Sequence, residues 1–170
     1  MRRLLPTSIA LALCALALAG CGFKPMYGAG TGVSTRLSGI EVRTDDGRDA
    51  YLVGVALRDR LGSWQGERAL YTLETRTSLT RTSTALTIDQ VASRILLGVS
   101  ISYGLYDRAS GDMLTQGSVT GQATYDVPIQ PYAAIRAEQD STERAANDAA
   151  DRLTLALARY FDSPPEAETP

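Results

Sequence analysis

Histidine is absent from this 170-residue chain, and its two cysteines, Cys14 and Cys21, both lie near the start. Without histidine there is no Ser-His or Cys-His relay and no His-ligated zinc. Beyond Cys21 no thiol remains for a disulfide framework or a thiolate metal centre. Walker-type loops, GxGxxG, CxxC, HExxH and GxSxG are missing as well, which points to a binding or scaffolding protein rather than an enzyme. Lysine occurs once, at Lys24, against sixteen arginines. Arginine forks suit phosphate groups, although a GC-rich coding bias accounts for most of them.

What is present begins with a secretory layout. Arg2 and Arg3 precede an apolar run from Leu4 to Leu18, followed by Leu18-Ala19-Gly20-Cys21. A bilayer span needs ~20 apolar residues; this run is 15 residues long and contains Pro6. The tetrapeptide matches the bacterial lipobox. The expected processing removes residues 1–20 and leaves Cys21 lipidated, so the anchor is a covalent lipid and no other cofactor is expected. Losing Arg2 and Arg3 reduces 17 basic residues to 15 against 19 acids, a net charge of −4. That balance, together with export, argues against a nucleic-acid partner.

The remainder is long enough for one domain with a core. Residues 21–34, with Gly22, Gly28, Gly30 and Gly32, read as a tether, residues 35–162 as a single domain, and 163–170, with three prolines, as a disordered tail. Alternation predicts a short strand over Leu37–Arg43. Asp45 or Asp46 is suited to cap a helix over Asp49–Ser63, whose Ala50, Val53, Leu57, Leu61 and Trp64 share one face, with Gly62 or Gly66 ending it. Period-two patterning predicts strands over Leu70–Thr82, Arg94–Tyr106 and Leu114–Tyr125, the last weakened by Gly117 and Gly121, with a turn at Asp107–Asp112. The segment Ser83–Ser93 fits strand or loop. A long helix is predicted over Tyr132–Phe161, with Ile135, Thr142, Ala145, Ala146, Ala149, Leu153, Leu157 and Tyr160 as its buried stripe. The expected fold is α+β, a two-layer sandwich with two helices on one face of a four-stranded, mainly antiparallel sheet. Its other face is left polar.

Few side chains invite a chemical role. Cys21 is the lipidation site. Arg76, Arg81 and Arg94 are the candidates for meeting anionic groups, since guanidinium binds phosphate in a bidentate way; Arg94 serves equally as an edge guard. Seven threonines between Thr72 and Thr87 suggest either a hydrogen-bonding surface or plain strand propensity. Glu138, Asp140, Glu143, Asp148 and Asp151 crowd the last helix, where i,i+4 pairs such as Arg136–Asp140 and Arg144–Asp148 explain them better than acid–base catalysis.

Cys21-Gly22-Phe23-Lys24-Pro25-Met26-Tyr27-Gly28 resembles the opening of the LptE lipoprotein family. Tyr125-Asp126-Val127, Tyr132-Ala133 and Glu143-Arg144-Ala145-Ala146 resemble that family's last strand and last helix. The resemblance implies a lipid-anchored protein on the periplasmic side of the outer membrane. It would plug and help assemble the LptD β-barrel and take part in lipopolysaccharide transport. Lipopolysaccharide contact is implied for basic residues near strand ends, for which Arg76, Arg81 and Arg94 are the matches in this chain. Two other readings of the residues remain: an auxiliary lipoprotein of a lipid ABC transporter that binds phospholipid, and a carboxylate-dependent glycan hydrolase.

Overall fold

The structure, a computed structural model, describes residues 32–62, 69–86 and 92–162. Cys21, Trp64 and the tail after Asp162 lie outside the described residues.

The chain runs α1 (Gly32–Ser38), β1 (Ile40–Thr44), α2 (Arg48–Leu61), β2 (Tyr71–Leu86), β3 (Ala92–Asp107), β4 (Met113–Asp126) and α3 (Pro131–Asp162). The sheet order is β1-β2-β3-β4. β1 lies parallel to β2, with α2 as the crossover, and the other two pairings are antiparallel. All three helices belong to one layer, so the α+β sandwich expected from the patterning is the fold observed, with one helix more. That helix replaces the start of the predicted first strand. Val33 and Leu37, four residues apart, are both buried on α1, and a helical repeat serves them where a strand would turn them apart.

The core follows the period-two pattern. Leu97, Val99, Ile101 and Leu105 of β3 and Leu73 of β2 are fully buried beneath the helices. Ala50, Val53, Leu57 and Leu61 of α2, and Ala145, Ala149, Leu153 and Leu157 of α3, meet them. Ile135, placed in the buried stripe by its spacing, is 55% exposed instead. It lies on the first turns of α3, where it lines a hollow beside the first turns of α2. At the other end Phe161, not Tyr160, is buried and packs on Tyr71, with ring centroids 5.1 Å apart.

Gly121 explains why β4 carries glycine where a strand prefers bulk. A Cβ there would strike the carbonyl oxygen of Ala145 and the amide of Ala149, so the α3 backbone rests directly on the strand. Gly62 ends α2 in the left-handed region at φ 59°, its N–H donating to the Arg58 carbonyl. The other end of α2 departs from expectation. Gly47 is the N-cap and makes no side-chain cap. The Asp45 carboxylate instead accepts the N–H of Thr77, at 3.2 and 3.1 Å, so it closes the end of the β1–β2 ladder. Asp107 does ordinary turn work, accepting the N–H groups of Ala109 and Ser110, which hold its carboxyl below the usual carboxylate range.

Candidate functional site: the open face of the sheet

With every helix on one side, the strand residues that alternate away from the core form a bare surface. β3 contributes Gly98, Ser100, Ser102 and Gly104; β4 contributes Gln116, Ser118, Thr120, Gln122 and Thr124; β2 contributes Glu74, Arg76, Ser78 and Thr80. Apolar side chains on this face include Leu96, the ring of Tyr106 and, opposite that ring, the exposed Met113. The Tyr106 ring lies over Gly104, where an added Cβ would meet Cε2 at 3.0 Å. The hydroxyls are organised: Ser100 and Thr120 bond across the β3–β4 pair at 2.9 Å, and Thr80 Oγ1 donates to the Gly98 carbonyl at 3.3 Å. A shallow depression of about 540 Å³ runs over Arg43, Glu74, Arg76, Ser102 and Gln116.

Two corners of the face carry charges that are neutralised in place, while Glu74 and Arg76 stand at the depression. At the β1 corner Glu41 takes Arg43 at 3.2 Å and Arg108 at 3.0 Å. At the diagonal corner Arg94 pairs with Asp126 at 2.7 Å. The hydrogen bond between them, then their mutual charge, raises the guanidinium pKa and lowers that of the carboxyl. The β3–β4 part of the face between these corners presents donors and acceptors without charge, and Glu74 and Arg76 of β2 bring one charge of each sign beside it.

The three candidate arginines do not form one cluster. Arg76 lies on the open face opposite Ser102, and it makes no ion pair with the described residues. Arg94 is eight residues before Ser102 on β3, about 26 Å away at strand rise. Arg81 points to the helix side, where its Nη2 is 2.6 Å from Glu138 Oε1 of α3.

The α3 carboxylates are likewise engaged. Asp140 pairs with Arg144, Asp148 with Arg152 and Asp151 with Arg60. In the two i,i+4 pairs the acid precedes the base, the order the helix dipole favours, so Arg144 takes Asp140 and not the predicted Asp148. Asp148 has a second role, accepting the outward N–H of Gln122 on β4 at 2.9 Å. That bond, ahead of Arg152, lowers its pKa against the opposing effect of partial burial. Arg144 also donates to the Thr124 carbonyl at 3.2 Å. Asp148 and Arg144 thus cover the β4 edge, a role for which the sequence carried no signal beyond helical charge. Among the described residues no group of three or more His, Cys, Asp or Glu could hold a metal, and no helix is long and apolar enough to cross a membrane.

Residues 35–157 match the lipopolysaccharide-assembly family LptE. This chain belongs to the LptE family. A Caulobacter crescentus CB15 protein described as a lipoprotein has a similar crystal structure, with 38% identity over 78% of this chain and 96% of that one, at TM-score 0.65. Two more distant structures share the fold at 15% identity. One is rare lipoprotein B from Shewanella oneidensis, with TM-score 0.56 over 71% of this chain and 93% of that one. The other is a minor lipoprotein from Acinetobacter baumannii, with TM-score 0.53 over 71% and 88%. No curated protein sequence matches significantly. Family membership supports a role in lipopolysaccharide assembly, in a family of non-enzymatic lipoproteins.

Proposed function

We infer that this protein is an outer-membrane lipoprotein, held by a lipid on Cys21, that plugs and helps assemble an LptD-type β-barrel during lipopolysaccharide transport. The observation that carries this reading is the open sheet face. Barrel lumens are polar, and a partner lodged in one must match hydrogen bonds without burying unpaired charge. A hydroxyl- and amide-rich β3–β4 surface with paired corner charges fits the first condition, and Arg76 is the charge on this face that the partner would have to meet. A phospholipid-binding module would instead need an apolar groove, and the depression on this face is floored by Arg43, Glu74, Arg76 and Ser102. The engaged state of Asp140, Asp148 and Asp151 gives the hydrolase reading no support.

The test is a mild-detergent pull-down of the tagged full-length lipoprotein from outer membranes. Stoichiometric recovery of a large heat-modifiable barrel, reduced about tenfold by Ser118→Asp with Thr120→Asp, is expected. Those substitutions place two charges on the uncharged β4 part of the face, and a single unpaired buried charge costs more than the 1.4 kcal/mol that tenfold represents. Recovery of the lipoprotein alone, or with inner-membrane transporter subunits, would overturn the plug reading.

A further inference from the structure

The edges of this sheet are sealed in some places and open in others. Asp45 takes the outward N–H of Thr77, and Asp148 and Arg144 take outward groups of Gln122 and Thr124. Two stretches have no such cover among the described residues: Gln116–Thr120 of β4 and Leu79–Ser83 of β2. On β2 the outward groups fall on the odd residues, as Thr77 N–H and the Thr75 carbonyl (accepting Asp45 N–H at 3.2 Å) establish. In an antiparallel ladder the alternation continues, so Leu79, Arg81 and Ser83 turn their N–H and C=O groups away from β3. β1 ends at Thr44, and among the described residues no strand continues in the lane beyond it.

A hollow adjoins that lane. Between the first turns of α2, β2 and the start of α3 lies a cavity of about 250 Å³, with Leu52, Leu79 and Ile135 as apolar lining and Arg48, Arg81 and Glu138 at its rim. It is below the ~300–1,000 Å³ of small-molecule sites and has the scale of one large side chain. Ile135, exposed despite its place in the apolar stripe, is accounted for as part of this lining.

We propose that Leu79–Ser83 of β2 is a strand-addition site for an extended segment of a partner polypeptide, which seats one apolar side chain in the neighbouring hollow. Backbone pairing supplies affinity in such sites, and pockets for alternate side chains supply selectivity. A second copy of this chain is the poorer occupant. The free stretch is bounded by the Asp45 seal at Thr77 and by the register shift after Ser83, so two copies pairing antiparallel would set Arg81 opposite Arg81, and like charges directly opposite are destabilising. The inference does not depend on what occupies the polar face.

The test uses the full-length lipoprotein in detergent and a short capped peptide of alternating threonine and leucine, at about 1 mM so that even weak pairing is populated. Residue-resolved amide exchange should slow about tenfold at Leu79 and Arg81. Arg81→Pro removes an outward N–H that the β2–β3 ladder does not use, and Ile135→Lys places a charge in the hollow from an exposed position. Each should abolish the slowing at Leu79, an amide that both variants keep, and Ile135→Lys should do so with an unchanged melting temperature. No slowing in the unaltered protein, or slowing that persists in both variants, would overturn the proposal. So would protection of the same amides by self-association without peptide, which would make the occupant a second copy.

Discussion

Replacing Gly121 by alanine adds one methyl group at the tightest contact between the two layers. The site offers nowhere to put it. A Cβ at this position runs into the carbonyl oxygen and amide of two α3 residues, Ala145 and Ala149, and these are helix backbone atoms, not the ends of flexible side chains. Relief therefore requires α3 to lift or β4 to bend, which loosens the packing of Ala145, Ala149 and Leu153, all fully buried. Overpacking a well-filled core costs ~1–3 kcal/mol, and a collision with rigid backbone belongs at or beyond the top of that range, about 3–4 kcal/mol. For a domain of this size that is roughly 10–15 °C in Tm. Gly117→Ala is the matched control on the same strand. Its Cβ would meet the Tyr103 phenol, with the hydroxyl at 2.9 Å, and this is the far end of a partly buried side chain, which can yield where helix backbone cannot, so the loss should stay near or below about 1 kcal/mol. Urea and thermal unfolding of both variants measure the difference. Equal stabilities, or a Gly121→Ala protein within about 1 kcal/mol of the parent, would refute the claim that glycine is there to admit the helix.

Ile101→Asp places a carboxylate at a fully buried position of the central strand β3 and should cost at least about 3 kcal/mol, seen as loss of the folded protein at 37 °C or a collapsed Tm; a normal Tm would mean the sheet faces are reversed. Asp148 has a pKa lowered in the folded state, first by the Gln122 N–H. Its contribution is therefore present above the ordinary carboxyl pKa and is lost as pH falls through the folded value. Asp148→Ala should destabilise by about 1 kcal/mol at neutral pH, discounted for partial exposure, and by nearly nothing at pH about 2. A pH-independent loss in unfolding titrations would show that packing, and not the edge bond, is what was removed. Cys21→Ala should leave residues 1–20 attached and the protein unlipidated, read by intact mass and membrane fractionation; lipid still attached would disprove the lipobox reading.

The fold was legible wherever one periodicity held over many residues. β3 alternates from Ile95 to Leu105 without interruption, and α2 repeats at three and four from Ala50 to Leu61; both elements lie where those patterns put them. The sequence was mute where a residue acts through space. Asp45 fits a helix cap locally, yet its partner is Thr77, 32 residues on, and no local rule ranks that bond above the cap. Gly121 weakens a strand by propensity and is explained only once α3 lies across it. Val33 and Leu37 were too few to declare α1 against the glycines before them. The polar face was foreseeable from the Ser, Thr and Gly positions of β2 and β3. Its neutralised corners were not, because Arg94–Asp126 and Arg108–Glu41 are pairs between strands distant in sequence.

Those pairings also rank the three arginines as contacts for an anionic lipid head group. Arg81 is engaged with Glu138 and Arg94 with Asp126, so either must give up a carboxylate before a phosphate gains anything. Arg76 makes no ion pair with the described residues and stands over the depression on the open face. A new charge-assisted bond contributes ~1.5–3 kcal/mol, about tenfold or more in affinity. Exchanging one exposed ion pair for another leaves at most ~1 kcal/mol. If lipopolysaccharide binds this protein directly, Arg76→Gln should weaken its capture by the purified lipoprotein about tenfold, and Arg81→Gln or Arg94→Gln no more than two- to threefold. Losses of equal size for all three would mean that ion pairing within the protein does not set their availability. A larger loss for Arg94 would move the contact to the far corner of the sheet, beside Asp126.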